Sequence, residues 1–217
     1  MRFSSVFDAR IDMERGAHKE AIEPTERAIR KTTQYSLAPY HAVGVGLKGE
    51  LMVASGDPGS GVAILRDALE AMDPARYHIM RLEPLRALAE GLMLSGRSDE
   101  ALDTIREALA LAEQGGGTLW LPDLLRAHGD ILLAQPHADF AAAERIFVRS
   151  MDEARKQSAL SWELKAALPL ARVVAQQGRV GQARSMLETI YGRFTEGFET
   201  RDLVSARQLL HELNSMH

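Results

Sequence analysis

The chain has 217 residues, 46% hydrophobic and 26% charged, with a net charge of −4 and an isoelectric point near 6.0. That balance excludes nucleic acid as a direct partner, because a surface that tracks phosphates needs a clustered surplus of Lys and Arg. The absence of cysteine excludes disulfides, thiolate catalysis and Cys-based zinc sites.

Aromatic residues make up only 6% of the chain, and Ala and Leu outnumber β-branched residues, a bias toward helix over sheet. The opening stretch, MRFSSVFDARIDMERG, is interrupted by Asp8, Arg10 and Asp12 and so does not read as a signal peptide. No run approaches the ~18 apolar residues of a membrane span. The expectation is a cytoplasmic helical protein with no membrane partner.

Turn glycines then recur at Gly16, Gly56 and Gly96, with a longer fourth turn around Gln135 and Pro136 and a last one at Gly178. Seven residues before each turn stands a small residue: Ala9, Gly49, Ala89, Gly129 and Ala171. Five residues after it, allowing for the longer fourth turn, come Ala21, Gly61, Ala101, Ala143 and Ala183. Farther on lie Ala28, Ala68, Ala108 and Ser150, with Ile190 departing from the pattern in the fifth copy. Small residues at fixed places on paired helices let the two backbones approach closely while larger side chains pack around them. A fixed period of about 40 residues predicts a stack of helical hairpins. The expected copies are 1–34, 35–74, 75–115, 116–158 and 159–197, forming one domain over 1–217.

The punctuation supports this division. Ser98, followed by Asp99 and Glu100, reads as an N-cap with acids in the first turn. Pro39, Pro84 and Pro122 are expected near the starts of first helices, whereas Pro24 and Pro169 fall inside helices and predict kinks or shifted starts. Breaks between copies are read at MDPAR (72–76) and EQGGG (113–117). Trp120 and Trp162 are expected to wedge at the openings of the fourth and fifth copies, and Tyr191, Phe194 and Phe198 to seal the last one. A final helix over 200–215, with Leu203, Ala206, Leu210 and Leu213 on one face, is expected to cap the stack.

Small residues flanking a turn glycine on paired helices resemble the tetratricopeptide repeat (TPR), with a longer period and aliphatics at most of its aromatic positions. This resemblance covers nearly the whole chain. It implies an all-α fold, a right-handed TPR-like superhelix of about five hairpins. The C-terminal third, through Leu170-Ala171-Arg172, Gly178-Arg179, Ala183-Arg184 and the run YGRFTEGFETRDL from Tyr191 to Leu203, resembles the helical-repeat tail of large bacterial signalling proteins. In those proteins the tail follows an ATPase domain, and the N-terminal part is a class III nucleotide cyclase or a transcriptional activator. The resemblance implies a regulatory or interaction role and brings no catalytic motif with it.

No motif for chemistry competes with that reading. GDPGSG (56–61) is Gly-rich but lacks the lysine and the preceding strand of a phosphate loop. The seven histidines, His18, His41, His78, His128, His137, His211 and His217, show no paired spacing with carboxylates for a helical metal site. His128 and Asp130 point about 200° apart on a helix. No serine has a nucleophile motif around it. No enzyme activity, cofactor or metal is expected.

The candidate site is a polar stripe on the first helices. Six residues before the turns stand Arg10, Glu50, Glu90, Asp130 and Arg172; Arg86 and Arg126 lie ten before theirs, and Glu83 and Asp123 thirteen before. In the proteins that the repeat resembles, this face lines the concave groove where peptides bind. Two readings stand side by side: a ligand-facing stripe whose arginines clamp a carboxylate or phosphate, and solvated intrahelical pairs of i, i+4 spacing. The function expected is a protein-interaction or regulatory module binding a protein or peptide partner, with a small-molecule sensor as the alternative. Apolar residues in MRFSSVF, with no capping helix ahead of them, also raise the expectation of a homodimer.

Overall fold

A computed structural model describes residues 4–34 and 38–216, with the side chains of 4–7, 14, 38 and 39 outside the description. The described residues form eleven α-helices: α1 (Ser4–Glu14), α2 (His18–Gln34), α3 (Ala38–Ala54), α4 (Pro58–Glu70), α5 (Pro74–Leu94), α6 (Ser98–Gln114), α7 (Leu121–Leu133), α8 (Phe140–Lys156), α9 (Leu160–Gln176), α10 (Val180–Tyr191) and α11 (Arg201–Ser215). They fall into two compact units, Met1–Thr118 and Leu119–His217.

In the first unit α1 packs on α2, α3 on α4 and α5 on α6, and the first helices α3 and α5 also touch directly. The same arrangement recurs in the second unit, where α7 pairs with α8, α9 with α10, and α9 is flanked by α7 and α11. The fold is therefore all-α, built from successive helical hairpins.

Each hairpin turn has a chemical cause. Gly16, Gly56, Gly96 and Gly178 adopt φ of 76°, 93°, 74° and 81°, the left-handed region that side chains with a Cβ disfavour. At Gly96 the backbone N–H donates to Met93 O at 3.0 Å and that of Arg97 to Leu92 O at 2.9 Å. This paired pattern closes the helix end and turns the chain; the same bonds recur around Gly16, Gly56 and Gly178. The fourth turn lacks a glycine and runs over 134–139, three residues longer than its counterparts.

The small residues sit where helices meet. Ala9, Ala89 and Ala171 are fully buried, as are Ala21, Ala101, Ala143 and Ala183. A Cβ on Gly49 would lie 2.7 Å from Leu65 Cγ, and one on Gly61 2.8 Å from Gly49 O, so these backbones are nearly in contact. At Gly129 a Cβ would meet Phe147 Cε1 at 2.4 Å. Ser150, standing where the other copies have alanine, is buried and donates its hydroxyl to Pro122 O at 2.6 Å. That bond satisfies the one polar group the substitution introduces.

Several local expectations change. Ser98 is the first residue of α6, not its cap: Arg97 holds the cap position without a side-chain cap bond. The capping side chains are instead Asp57, Asp73 and Asp139, which accept from Ser60 N at 3.2 Å, Ala75 N at 3.0 Å and Ala142 N at 2.8 Å. Two of them precede prolines, and an Asp-Pro pair places a cap acceptor just ahead of a residue that needs no N–H partner. Pro122 lies at the start of α7 and Pro39 is the second residue of α3, but Pro84 lies deep inside α5. The reason is that α5 starts earlier, at Pro74, and departs from helical dihedrals at Tyr77 (φ −122°, ψ 28°). α2 and α9 run on through Pro24 and Pro169, so neither proline shifts a helix start. In α11 the fully buried face is Leu203, Ala206, Leu209 and Leu213, with Leu210 only half-buried at its edge.

Candidate functional site

The acid–Arg stripe divides into two clusters, one in each unit. In the first unit the Arg86 guanidinium on α5 reaches Glu50 on α3 and, at 2.6 Å, Glu90 one turn along α5. Arg10 on α1 lies 3.3 Å from the other Glu50 oxygen and 3.0 Å from Glu83 on α5. The five side chains thus tie the first helices of three successive hairpins together. Arg86 and Glu50 are only 11% and 13% exposed, so their charges interact through a medium much less polar than water. The Arg86–Glu90 pair has the intrahelical i, i+4 spacing read from the sequence, and the fold adds the cross-helix contacts to Glu50 and Arg10 around it.

In the second unit Arg126 donates to Asp123 at 2.8 Å and to Asp130 at 2.6 Å, all three on α7. Each Arg sits between two acids, one turn before and one turn after it, because residues three and four apart share a helix face. Arg172, the fifth-copy member, is exposed on α9. It therefore does not take part in an Arg126-type cluster. Lys165, thirteen residues before the Gly178 turn, lies 4.0 Å from Asp202 at the start of α11.

This geometry bears on the anion clamp. The forks of Arg86 and Arg126 are each engaged by two carboxylates of the chain itself. An incoming phosphate or carboxylate would have to displace acids already held in charge-assisted bonds. The clusters hold three carboxylates to two guanidiniums in the first unit and two to one in the second.

Two charged residues on buried stripes were not among the candidates. Arg81 is 9% exposed and donates to Leu69 O at 2.7 Å and Met72 O at 2.8 Å, satisfying carbonyls at the end of α4. Glu163 is 1% exposed and takes Arg155 Nε at 2.7 Å on one oxygen and Arg193 Nη1 at 2.6 Å on the other. A signal for both existed. Arg81, Leu85, Leu88 and Leu92 share one helical face, as do Glu163, Ala167, Leu170 and Val174, so each charge sits on an otherwise apolar stripe.

The remaining candidates take structural places. Trp120 and Trp162 are half-buried, at the entries to α7 and α9. Tyr191 and Phe194 pack against the core of the second unit, while Phe198 is 36% exposed and leans on Tyr191 with ring centroids 5.9 Å apart. Asp57 caps α4, so GDPGSG is a hairpin turn. Among the described residues no group of three or more His, Asp or Glu is placed to hold a metal ion. None of the helices in those residues is long and apolar enough to cross a membrane. His217 and the side chains of Met1–Phe7, on which the homodimer expectation rests, lie outside the described residues.

No protein-family model matches the chain, and no curated protein matches its sequence. Its structure, however, is similar to solved ones. The crystal structure of TPR-like repeats from a candidate kinesin light chain of Podospora anserina, described as nearly identical repeats, superposes with a TM-score of 0.56 at 18% identity, over 87% of this chain and 92% of that one. A single-substitution variant of the same protein gives the same TM-score and coverage at 19% identity. The fold is thus that of a TPR-like helical-hairpin repeat protein.

Proposed function

We propose that this chain is a non-enzymatic interaction module that binds peptide or protein segments on its first-helix faces, the candidate residues being Glu50, Glu83, Arg86 and Glu90 in the first unit and Asp123, Arg126, Asp130 and Arg172 in the second. The observation that carries the proposal is the same half-buried acid–Arg–acid spacing on α5 and α7, with Arg86 bonded to Glu90 and Arg126 to Asp123 and Asp130. Side chains already locked by their neighbours lose little freedom when a partner docks, so less of the binding energy is lost to ordering them. Acids recurring along this face favour a segment bearing Lys or Arg over a polyanion. Exposed Arg172 is suited to a carboxylate on the same segment.

The Tyr191–Leu203 run, through its resemblance to the helical-repeat tail of bacterial signalling proteins, supports a regulatory setting of the kind found in bacterial signalling or transcription proteins, in the cytoplasm. A peptide-display selection tests the reading. Selected peptides should be enriched in Lys and Arg, and their affinity should fall roughly tenfold, about 1.4 kcal/mol, in the Glu83→Gln, Asp123→Asn double variant. Glu70→Gln, an exposed change on α4, should leave affinity unaltered. Peptides that lose affinity only with Glu70→Gln, or a selection that yields no binder, would reject the first-helix face as the site.

A further inference from the structure

Arg10 breaks the charge pattern of the stripe. Six residues before the hairpin turns, the second, third and fourth copies carry Glu50, Glu90 and Asp130, whereas the first copy carries an arginine. Its Nη2 lies 3.3 Å from Glu50 on α3 and 3.0 Å from Glu83 on α5. One nitrogen of the first hairpin thus reaches acids on the next two hairpins. Arg172, the other arginine in this register, is exposed on α9, so register alone does not produce the reach of Arg10.

The two arginines at this place differ in how firmly they are held. Arg86 is 11% exposed and bonded to Glu50 and Glu90, which makes it the inner cation. Arg10 and Glu83 are 29% and 35% exposed, so their contact faces solvent and is screened by it. When Arg10 swings away, Glu50 keeps Arg86 as a partner, and no buried carboxylate is left bare. Arg10 is therefore the exchangeable cation of the pair.

Resting on the reading that first-helix acids receive a partner's Lys or Arg, we propose that Arg10 is an autoinhibitory contact. It fills Glu50 and Glu83 in cis until a basic side chain of the partner displaces it. Because Arg10 belongs to the same chain, it competes at a high effective concentration. Each of its two ion pairs is individually weak. A segment that brings several contacts displaces it, whereas a lone cation does not. Arg10 thus sets a threshold that favours partners with more than one basic residue.

Calorimetric titration of the full chain with acetylated, amidated tri-arginine tests this. Arg10→Gln should bind the peptide about threefold tighter than wild type, because the competitor is gone, and Arg10→Lys should fall between the two. Arg66→Gln removes an exposed cation from α4, controls for net charge and should leave the affinity unaltered. In the wild type, the Arg10 Nε–H NMR signal should move towards that of a solvated arginine as peptide is added, a readout that needs no variant to fold. Equal or weaker binding by Arg10→Gln, equal tightening by Arg66→Gln, or an Arg10 signal that stays fixed while the peptide binds would overturn the proposal. Weaker binding by Glu83→Gln without tighter binding by Arg10→Gln would reject the inhibition alone. If Glu83→Gln leaves the affinity unchanged, the peptide sits elsewhere and the reading of the face fails as well; no binding to wild type or Arg10→Gln would reject both.

Discussion

Arg86 shows how a single residue changes meaning between sequence and structure. Spacing pairs it with Glu90 on its own helix, a contact worth a few tenths of a kcal/mol when solvated. The fold adds Glu50 from α3 and shields the group to 11% exposure. Replacing Arg86 by Met takes from Glu50 and Glu90 the guanidinium they share, so unfolding in urea should show a loss of about 2 kcal/mol. Adding Glu50→Gln should then cost less than it does alone, with a coupling of about 1 kcal/mol in the double-mutant cycle. Glu144 supplies a pH-dependent counterpart. The Arg179 guanidinium, 2.5 Å away, holds its carboxyl below the ordinary 4.5, chiefly through their hydrogen bond and against partial desolvation. A carboxyl depressed in the folded state stabilises above its unfolded value and loses that contribution as pH falls through the folded one. The melting temperature of Glu144→Gln should therefore lie slightly below wild type near pH 7, by about 0.5 kcal/mol in stability for so exposed a pair. The gap should close as the pH drops below about 4.5 and the wild-type carboxylate is protonated.

At the scale of elements, the pairing of α7 with α8 depends on the absence of one methyl group. A Cβ on Gly129 would fall 2.4 Å from one Phe147 ring carbon and 2.6 Å from another, and Phe147 is fully buried. The ring cannot swing away without displacing its own neighbours, so Gly129→Ala should destabilise by about 1–3 kcal/mol through overpacking. Thermal melts should show it, and pairing the change with Phe147→Leu should recover part of the loss. The sequence pattern of small residues before and after each turn announced these close approaches, because few other uses require Gly or Ala at a fixed interval on both helices. The caps were less legible. Ser98 looked like the N-cap of α6, yet the chain enters that helix one residue earlier through Arg97. Helix α5 likewise begins at Pro74 and breaks at Tyr77, so Pro84 falls in its interior. Local propensity names good start residues but does not say which of two adjacent candidates the packed helices select.

For the whole molecule, the second unit carries a core of its own. Phe147, Leu164, Leu170, Leu187, Leu203 and Leu213 belong to one buried cluster whose members all follow Leu119. Residues 119–217 expressed alone should accordingly show a strongly helical circular dichroism spectrum and a single cooperative melt. A non-cooperative, sloping melt would mean that this unit depends on the first. By itself, the sequence determined the all-α class, the hairpin period, the positions of the turn glycines and the small residues where helices touch. These follow from short-range rules, since a left-handed turn or a close helix approach admits few residue types wherever it occurs. Only the tertiary structure decided what the charges do. The position of Arg86 relative to Glu50, or of Arg193 relative to Glu163, depends on how separate helices stack, and residues 36 and 30 places apart carry no local signal of their contact. Helical spacing could place the acid–Arg stripe on one face and pair Arg126 with the acids of its own helix, but only the packing of separate helices brought Glu50 to Arg86 and buried Glu163 between Arg155 and Arg193.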